Sequence, residues 1–117
     1  MQAKRKKILV VSRDPRLADV RKKVLESAGF EVLEASDPIA VRKACLEAKP
    51  HLVMIGYSLP PADKRRVWVE AREYCKTPIL ELHVAEGPTL MPPAYFHEAQ
   101  TADDFLITVQ TIVRQRL

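Results

Sequence analysis

The sequence has few of the features that mark secreted, metal-bound or membrane-spanning proteins. It holds only two cysteines, Cys45 and Cys75, 30 positions apart, with no Cys-x-x-Cys and no histidine at ligand spacing. That excludes a zinc ribbon and a thioredoxin-type pair, and both residues are expected to be buried thiols. No apolar run approaches the roughly 18 residues of a membrane span. The basic start, Lys4 to Lys7, leads into only four apolar residues, Ile8 to Val11, against the roughly 7 to 15 that a secretion signal carries. A cytoplasmic placement is expected. There is no internal repeat and no low-complexity stretch, and 117 residues suit one domain spanning 1–117 without an output domain.

What is present is the composition of a packed globular protein, 47% hydrophobic and 29% charged. The formal net charge of +4 is concentrated locally at Lys4-Arg5-Lys6-Lys7 and at Lys64-Arg65-Arg66. These clusters admit a nucleic-acid reading. The competing reading, which we favour, is that the first solubilises a chain end before a strand and the second covers the solvated face of a helix.

The organising stretch is His51 to Pro61, an apolar run of strand length halted by Gly56, a polar pair and two prolines. It reads as a buried parallel strand opening into a loop, at the end of the sheet where α/β proteins place their ligands. Before it, Ile8 to Val11 forms a first strand, and Asp14 followed by Pro15 caps a helix that stops at Gly29. In that helix Leu17, Val20, Val24, Leu25 and Ala28 share one face, while Arg16, Arg21, Lys22, Lys23 and Glu26 take the other. Phe30 to Ala35, with Glu31 and Glu34, suggests an edge strand. Asp37 and Pro38 open a second helix burying Ala40, Val41, Ala44 and Cys45, which ends at Lys49-Pro50.

A third helix starts near Asp63 with Val67, Ala71, Tyr74 and Cys75 on its inner face and Trp68 at the margin, followed by a strand from Ile79 to His83. The alternation then breaks, because Val84 to Ala94 holds Gly87, Pro88, Pro92 and Pro93 and cannot form a regular helix. Tyr95 to Ala99 makes a last strand, whose pairing the short 84–94 connection leaves open, and Thr101 with Asp104 forms a capping box for a final helix through Phe105, Val109, Ile112 and Val113. Alternating strands and helices imply α/β architecture, a doubly wound five-stranded parallel sheet of flavodoxin-like order 2-1-3-4-5, with the fourth helix shortened or missing.

Over nearly all its length the chain resembles the receiver domain of two-component response regulators, the CheY-like family. Lys7 to Val11 followed by Asp14-Pro15 is similar to the family's first strand and loop. Pro50 to Ile55 ending in Leu59-Pro60 is similar to its third strand, and Thr77-Pro78-Ile79 to the start of its fourth. Asp63 stands where the family carries an aspartate after the proline, and Tyr95 takes the switch-aromatic position. The resemblance implies phosphoryl transfer to an aspartate at the end of the third strand, with Mg²⁺ held by an acidic pair after the first.

None of that apparatus is present residue by residue. The acceptor position is Gly56, the acidic pair is replaced by Ser12 and Arg13, the hydroxyl position by His83 and the lysine position by Glu98. Mg²⁺ requires oxygen ligands, so Mg²⁺ binding is not expected and no cofactor is implied. The reversal of charge at Arg13 and Glu98 suggests an ion pair across the vacated pocket. Glu81, His83 and His97 form a conceivable metal or acid–base cluster, set against the simpler reading that the uncovered side of the fourth strand is partly wet.

The expectation is therefore a pseudo-receiver that is not an enzyme. It would act as a protein–protein interaction module in signal transduction, through a partner protein or self-association. Leu90, Met91, Tyr95 and Phe96 form the candidate partner face, with a proline-rich lid folded over them as the alternative. A second possibility is a small-anion-binding regulatory module using Ser12, Arg13 and His83.

Overall fold

The computed structural model describes residues 5–84, 87–88, 90, 94–101 and 104–115. Five strands alternate with four helices: β1 (Lys7–Val11), α1 (Pro15–Ser27), β2 (Glu31–Ala35), α2 (Pro38–Ala48), β3 (Leu52–Ile55), α3 (Pro61–Tyr74), β4 (Ile79–His83), β5 (Tyr95–Glu98) and α4 (Leu106–Gln115). The sheet order is β2-β1-β3-β4-β5 and every pairing is parallel. The last strand joins the sheet beside β4, with Leu80 opposite Tyr95 and His83 opposite Glu98. No helix stands between β4 and β5 among the described residues, and no helix is long and apolar enough to cross a membrane.

The sheet divides the core in two, as the period of two along each strand requires. Leu9, Val11, Val53, Ile55 and Ile79 pack against Val41 and Cys45 of α2 and Val67 and Ala71 of α3. Ile8, Val10, Leu52, Met54, Leu80 and Leu82 pack against Leu25 of α1 and Val109 and Ile112 of α4. Each such aliphatic side chain contributes roughly 1.5–3 kcal/mol on burial. Helix starts follow the chain chemistry. Asp14 accepts from the N–H groups of Arg16 and Leu17, and Asp37 from that of Ala40. Asp104 reaches back to the N–H groups of Gln100 and Thr101, although the regular helix begins only at Leu106.

Several expectations are corrected by packing. Cys45 and Cys75 are not thiols but a disulfide, with Cα atoms 4.7 Å apart, because α2 and α3 lie side by side on one face of the sheet. In α1 the inner stripe is Ala18, Arg21 and Leu25, whereas Val20 is exposed. Lys64 does not cover a solvated helix face. It precedes Val67 and Ala71 on the buried stripe of α3, and its ammonium group meets Glu81 at 2.7 Å. Consequently the α3 side of β4 is dry: Glu81 is fully buried and His83 is 8% exposed.

Candidate functional site

The crevice beyond the carboxyl ends of β1 and β3 is built from two loops stitched together. Ser12 Oγ and Ser58 Oγ share a hydrogen bond of 3.1 Å, and Ser58 Oγ also accepts the Arg13 N–H at 3.0 Å. Ser12 Oγ takes the Asp14 N–H as well, so both serine hydroxyls are occupied by the protein itself. Arg13 sends its guanidinium to Asp63 in the first turn of α3, at 3.1 Å, and its Nε–H to the Ser36 carbonyl. The expected pair between Arg13 and Glu98 is therefore absent. Asp63 lies nearer along the crevice, and Glu98 sits exposed at the outer end of the edge strand, opposite His83.

Gly56 is buried and donates its N–H to the Val11 carbonyl at 2.9 Å. A Cβ placed there would overlap Arg21 Nη1 and come within 3.2 Å of the Val11 carbonyl oxygen. The Arg21 side chain runs from the inner face of α1 into the space an acceptor side chain would occupy. It is only 2% exposed, and its guanidinium lies over the Tyr57 ring at 5.1 Å. Nη1 has no hydrogen-bond partner. Burial lowers the Arg21 pKa from its ordinary value, while Tyr57 and Asp14 act against that shift.

The remaining sequence candidates do not converge. His83 Nδ1 lies 3.0 Å from the Val84 carbonyl, an arrangement that makes Nδ1 the protonated nitrogen. His97, on the opposite face, meets Thr108 of α4 at 3.1 Å and lies 3.2 Å from Asp104. Burial, the largest single influence, pushes the Asp104 carboxyl up, yet the N–H groups of Gln100 and Thr101 together with His97 hold it below its ordinary value. No group of three or more metal-ligating side chains occurs among the described residues, and Glu81, His83 and His97 do not form one. A site built from Ser12, Arg13 and His83 finds each of these groups already engaged.

On the candidate partner face, Leu90 is buried rather than uncovered. Its N–H donates to Glu81 Oε1 at 2.8 Å, and its side chain joins the α3-side core. Phe96 packs against the same core, and Tyr95 is 41% exposed. Met91 lies outside the described residues. Leu90 thus behaves as the anchor of the lid alternative. The residues that sequence reasoning missed are Arg21, Lys64 and the anchoring role of Glu81. The available signal was Glu81 itself, a lone charge inside the apolar run Ile79 to Leu82, which demands an opposite charge on the helix packed over it.

No protein-family model matches the chain. A curated relative, the DNA-binding dual master transcriptional regulator RpaA of Synechocystis, is 33% identical over 57 residues, which cover 49% of this chain and 24% of the relative. Solved structures match over nearly the whole length. A signal receiver domain of an HD domain-containing protein from Pseudomonas fluorescens superposes with a TM-score of 0.81 at 14% identity, covering 97% of this chain and 98% of that one. A response regulator from Chloroflexus aurantiacus gives 0.79 at 21% identity over 95% and 99%. The chemotaxis protein CheY4 of Vibrio cholerae gives 0.73 at 20% identity over 93% and 99%. At these identities the likeness is one of fold, and with the sheet order β2-β1-β3-β4-β5 it establishes that this chain carries the CheY-like, flavodoxin-like fold of response-regulator receiver domains.

Proposed function

We propose that this chain is a pseudo-receiver: a single domain that works independently of phosphorylation, binding another protein in two-component-type signalling in the bacterial cytoplasm. The observation that carries this reading is the occupation of the acceptor position. Gly56 offers no nucleophile, and the Arg21 guanidinium fills the space beside it. Phosphoryl transfer in this fold needs a carboxylate to receive the group and a metal to offset the charge that develops. Here the metal-binding positions carry Ser12 and Arg13, and the nearby Asp63 carboxylate is engaged by Arg13. A cation at Arg13 repels Mg²⁺. With neither acceptor nor metal site, the chain acts through contacts rather than catalysis.

The nucleic-acid reading loses support for a specific reason. Lys64, one of three cations in its second cluster, is buried against Glu81 and presents no charge to a phosphate backbone. The test of the proposal is intact mass after incubation with Mg²⁺ and acetyl phosphate, beside a functional receiver as positive control. The expected outcome is no phosphoryl adduct on this chain under conditions that label the control. An adduct would overturn the proposal, and peptide mapping would then identify the displaced acceptor.

A further inference from the structure

At the opposite end of the sheet from Gly56, a groove of about 420 Å³ opens between the C-terminal turn of α3 and the first residues of β4 and β5. Its apolar lining is Pro78, Ile79, Ala94 and Tyr95, and its polar lining Arg72, Lys76 and Thr77. The position follows from the topology. A doubly wound sheet ordinarily covers the face between successive parallel strands with a crossover helix. None stands between β4 and β5 among the described residues. β5 is also the edge of the sheet, so one side of its backbone is unpaired.

The chemistry of this groove is one-sided. Arg72 and Lys76 are exposed, and among the described residues no acidic side chain lines the groove and neither cation has a carboxylate partner. The Arg72 guanidinium lies 5.2 Å over the Trp68 ring. Two exposed cations border an apolar lining, so a complementary occupant brings carboxylates for the cations and an apolar group for the lining. A nucleic-acid backbone suits a continuous stripe of cations; two cations flanking proline, isoleucine and alanine suit a peptide.

We infer that this groove docks a short acidic segment of a partner protein, its carboxylates meeting Arg72 and Lys76 and an apolar side chain resting on the lining formed by Ile79, Ala94 and Tyr95. The inference rests on the reading of the chain as a protein-binding module and gives that module a place and a partner chemistry.

Trp68 is the only tryptophan in the chain, and its stacking partner lines the groove, so intrinsic fluorescence reports occupancy. The probes are blocked hexapeptides Glu-Glu-x-Phe-Glu-Glu, with x varied among Leu, Ile and Val, and their counterparts with Lys in place of Glu. A saturable change is expected with the acidic set alone, weakening as salt rises. Arg72→Gln and Lys76→Gln, both at exposed positions, should each lower affinity, and the double variant by about tenfold or more as two charge-assisted contacts are lost. Absence of saturable binding by every acidic peptide, equal binding of the lysine peptides, or indifference to both substitutions would overturn the inference. Saturable binding of single-stranded DNA that the same substitutions abolish would also overturn it and reassign the groove. These outcomes are independent of the acetyl phosphate result, so a failed groove leaves the phosphorylation-independent reading intact.

Discussion

Among the described residues two cations, Lys64 and Arg21, are buried on opposite faces of the same sheet, and they are accommodated in contrasting ways. Lys64 enters the α3 side fully compensated: Glu81 Oε2 lies 2.7 Å away, the Leu82 carbonyl 3.4 Å, and the other carboxylate oxygen of Glu81 accepts from Leu90. Arg21 enters the α1 side with the Tyr57 ring as its principal neighbour and with Nη1 unbonded. The difference is between a cation that ties elements together and one that fills a space. Lys64 and Glu81 tie α3, β4 and the loop after β4 into one unit, so their charges hold the fold in place of a crossover helix. Arg21 holds nothing comparable, and its presence follows from the space that Gly56 leaves open. A buried charge is tolerated where it is paired or where a delocalised, weakly hydrated group lies over an aromatic face, and guanidinium suits the second case better than ammonium.

The sharpest way to break this comparison is to remove one partner of the paired site. Glu81→Ala leaves the Lys64 ammonium buried and uncompensated and should destabilise the fold by about 3–5 kcal/mol in urea unfolding. Hydrogen exchange at the Leu90 amide should accelerate in the same variant, since its acceptor is gone. The double variant Lys64→Met with Glu81→Leu should recover most of the loss, because an apolar pair of similar volume avoids the desolvation that offsets the ionic attraction. A Glu81→Ala variant as stable as the parent would show that the pair contributes nothing to the α3 side.

The second test acts on the uncompensated cation. Gly56→Ala places a methyl group against Arg21 Nη1 and the Val11 carbonyl, and should cost about 1–3 kcal/mol as overpacking. Arg21→Met should be neutral or slightly stabilising, since it removes a buried charge whose Nη1 makes no hydrogen bond. The two substitutions share one space, so their combination should show a coupling of about 1 kcal/mol or more, with Gly56→Ala nearly harmless when Arg21 is absent. Additive effects would mean that Arg21 does not occupy the acceptor position in solution.

The comparison also explains what could be read from the chain and what could not. Strand order, the edge position of β2 and the caps at Asp14 and Asp37 follow from local patterns, because apolar period and turn chemistry act within a few residues, whereas the pairing of β5 came only from the structure. Ser12, Arg13, Gly56, His83 and Glu98 could be set against the family pattern for the same reason, each being a single position in a recognisable frame. Arg21, Lys64 and the Cys45–Cys75 bond were not, since each depends on what lies across the core. Arg21 sits three residues from Ala18 and four from Leu25, and Lys64 three before Val67. Helical spacing therefore placed both on the inner stripe, but their charge argued for water. The deciding facts were an empty Cβ position just after β3 and a carboxylate on β4, and neither is a neighbour in sequence. Arg13 was assigned the wrong acid because a reversal of charge at two positions suggests a pair without measuring the distance between them.

A third basic side chain against the sheet sharpens the contrast by avoiding charge altogether. The His51 N–H donates to the Lys7 carbonyl at 2.8 Å, and His51 Nδ1 accepts the Lys7 N–H at 3.0 Å, closing the amino end of the β1–β3 ladder. That acceptor role requires an unprotonated Nδ1. Partial burial, then the nearby charges of Lys6 and Lys7, lower the His51 pKa below its ordinary value of 6.5. The unfolded chain therefore takes up this proton more readily than the folded one, so stability rises with pH across the interval between the two values. The His51 contribution is fully present above pH 6.5 and is lost as pH falls through the folded-state value. His51→Leu should flatten the fall in melting temperature between about pH 7.5 and 5.5, an interval lying above the ordinary carboxylate range and so dominated by histidine titration. The effect should be the smallest of the three, because His51 lies at the surface and solvent screens its neighbours. An unchanged slope in the variant would leave the neutral state of His51 without energetic consequence.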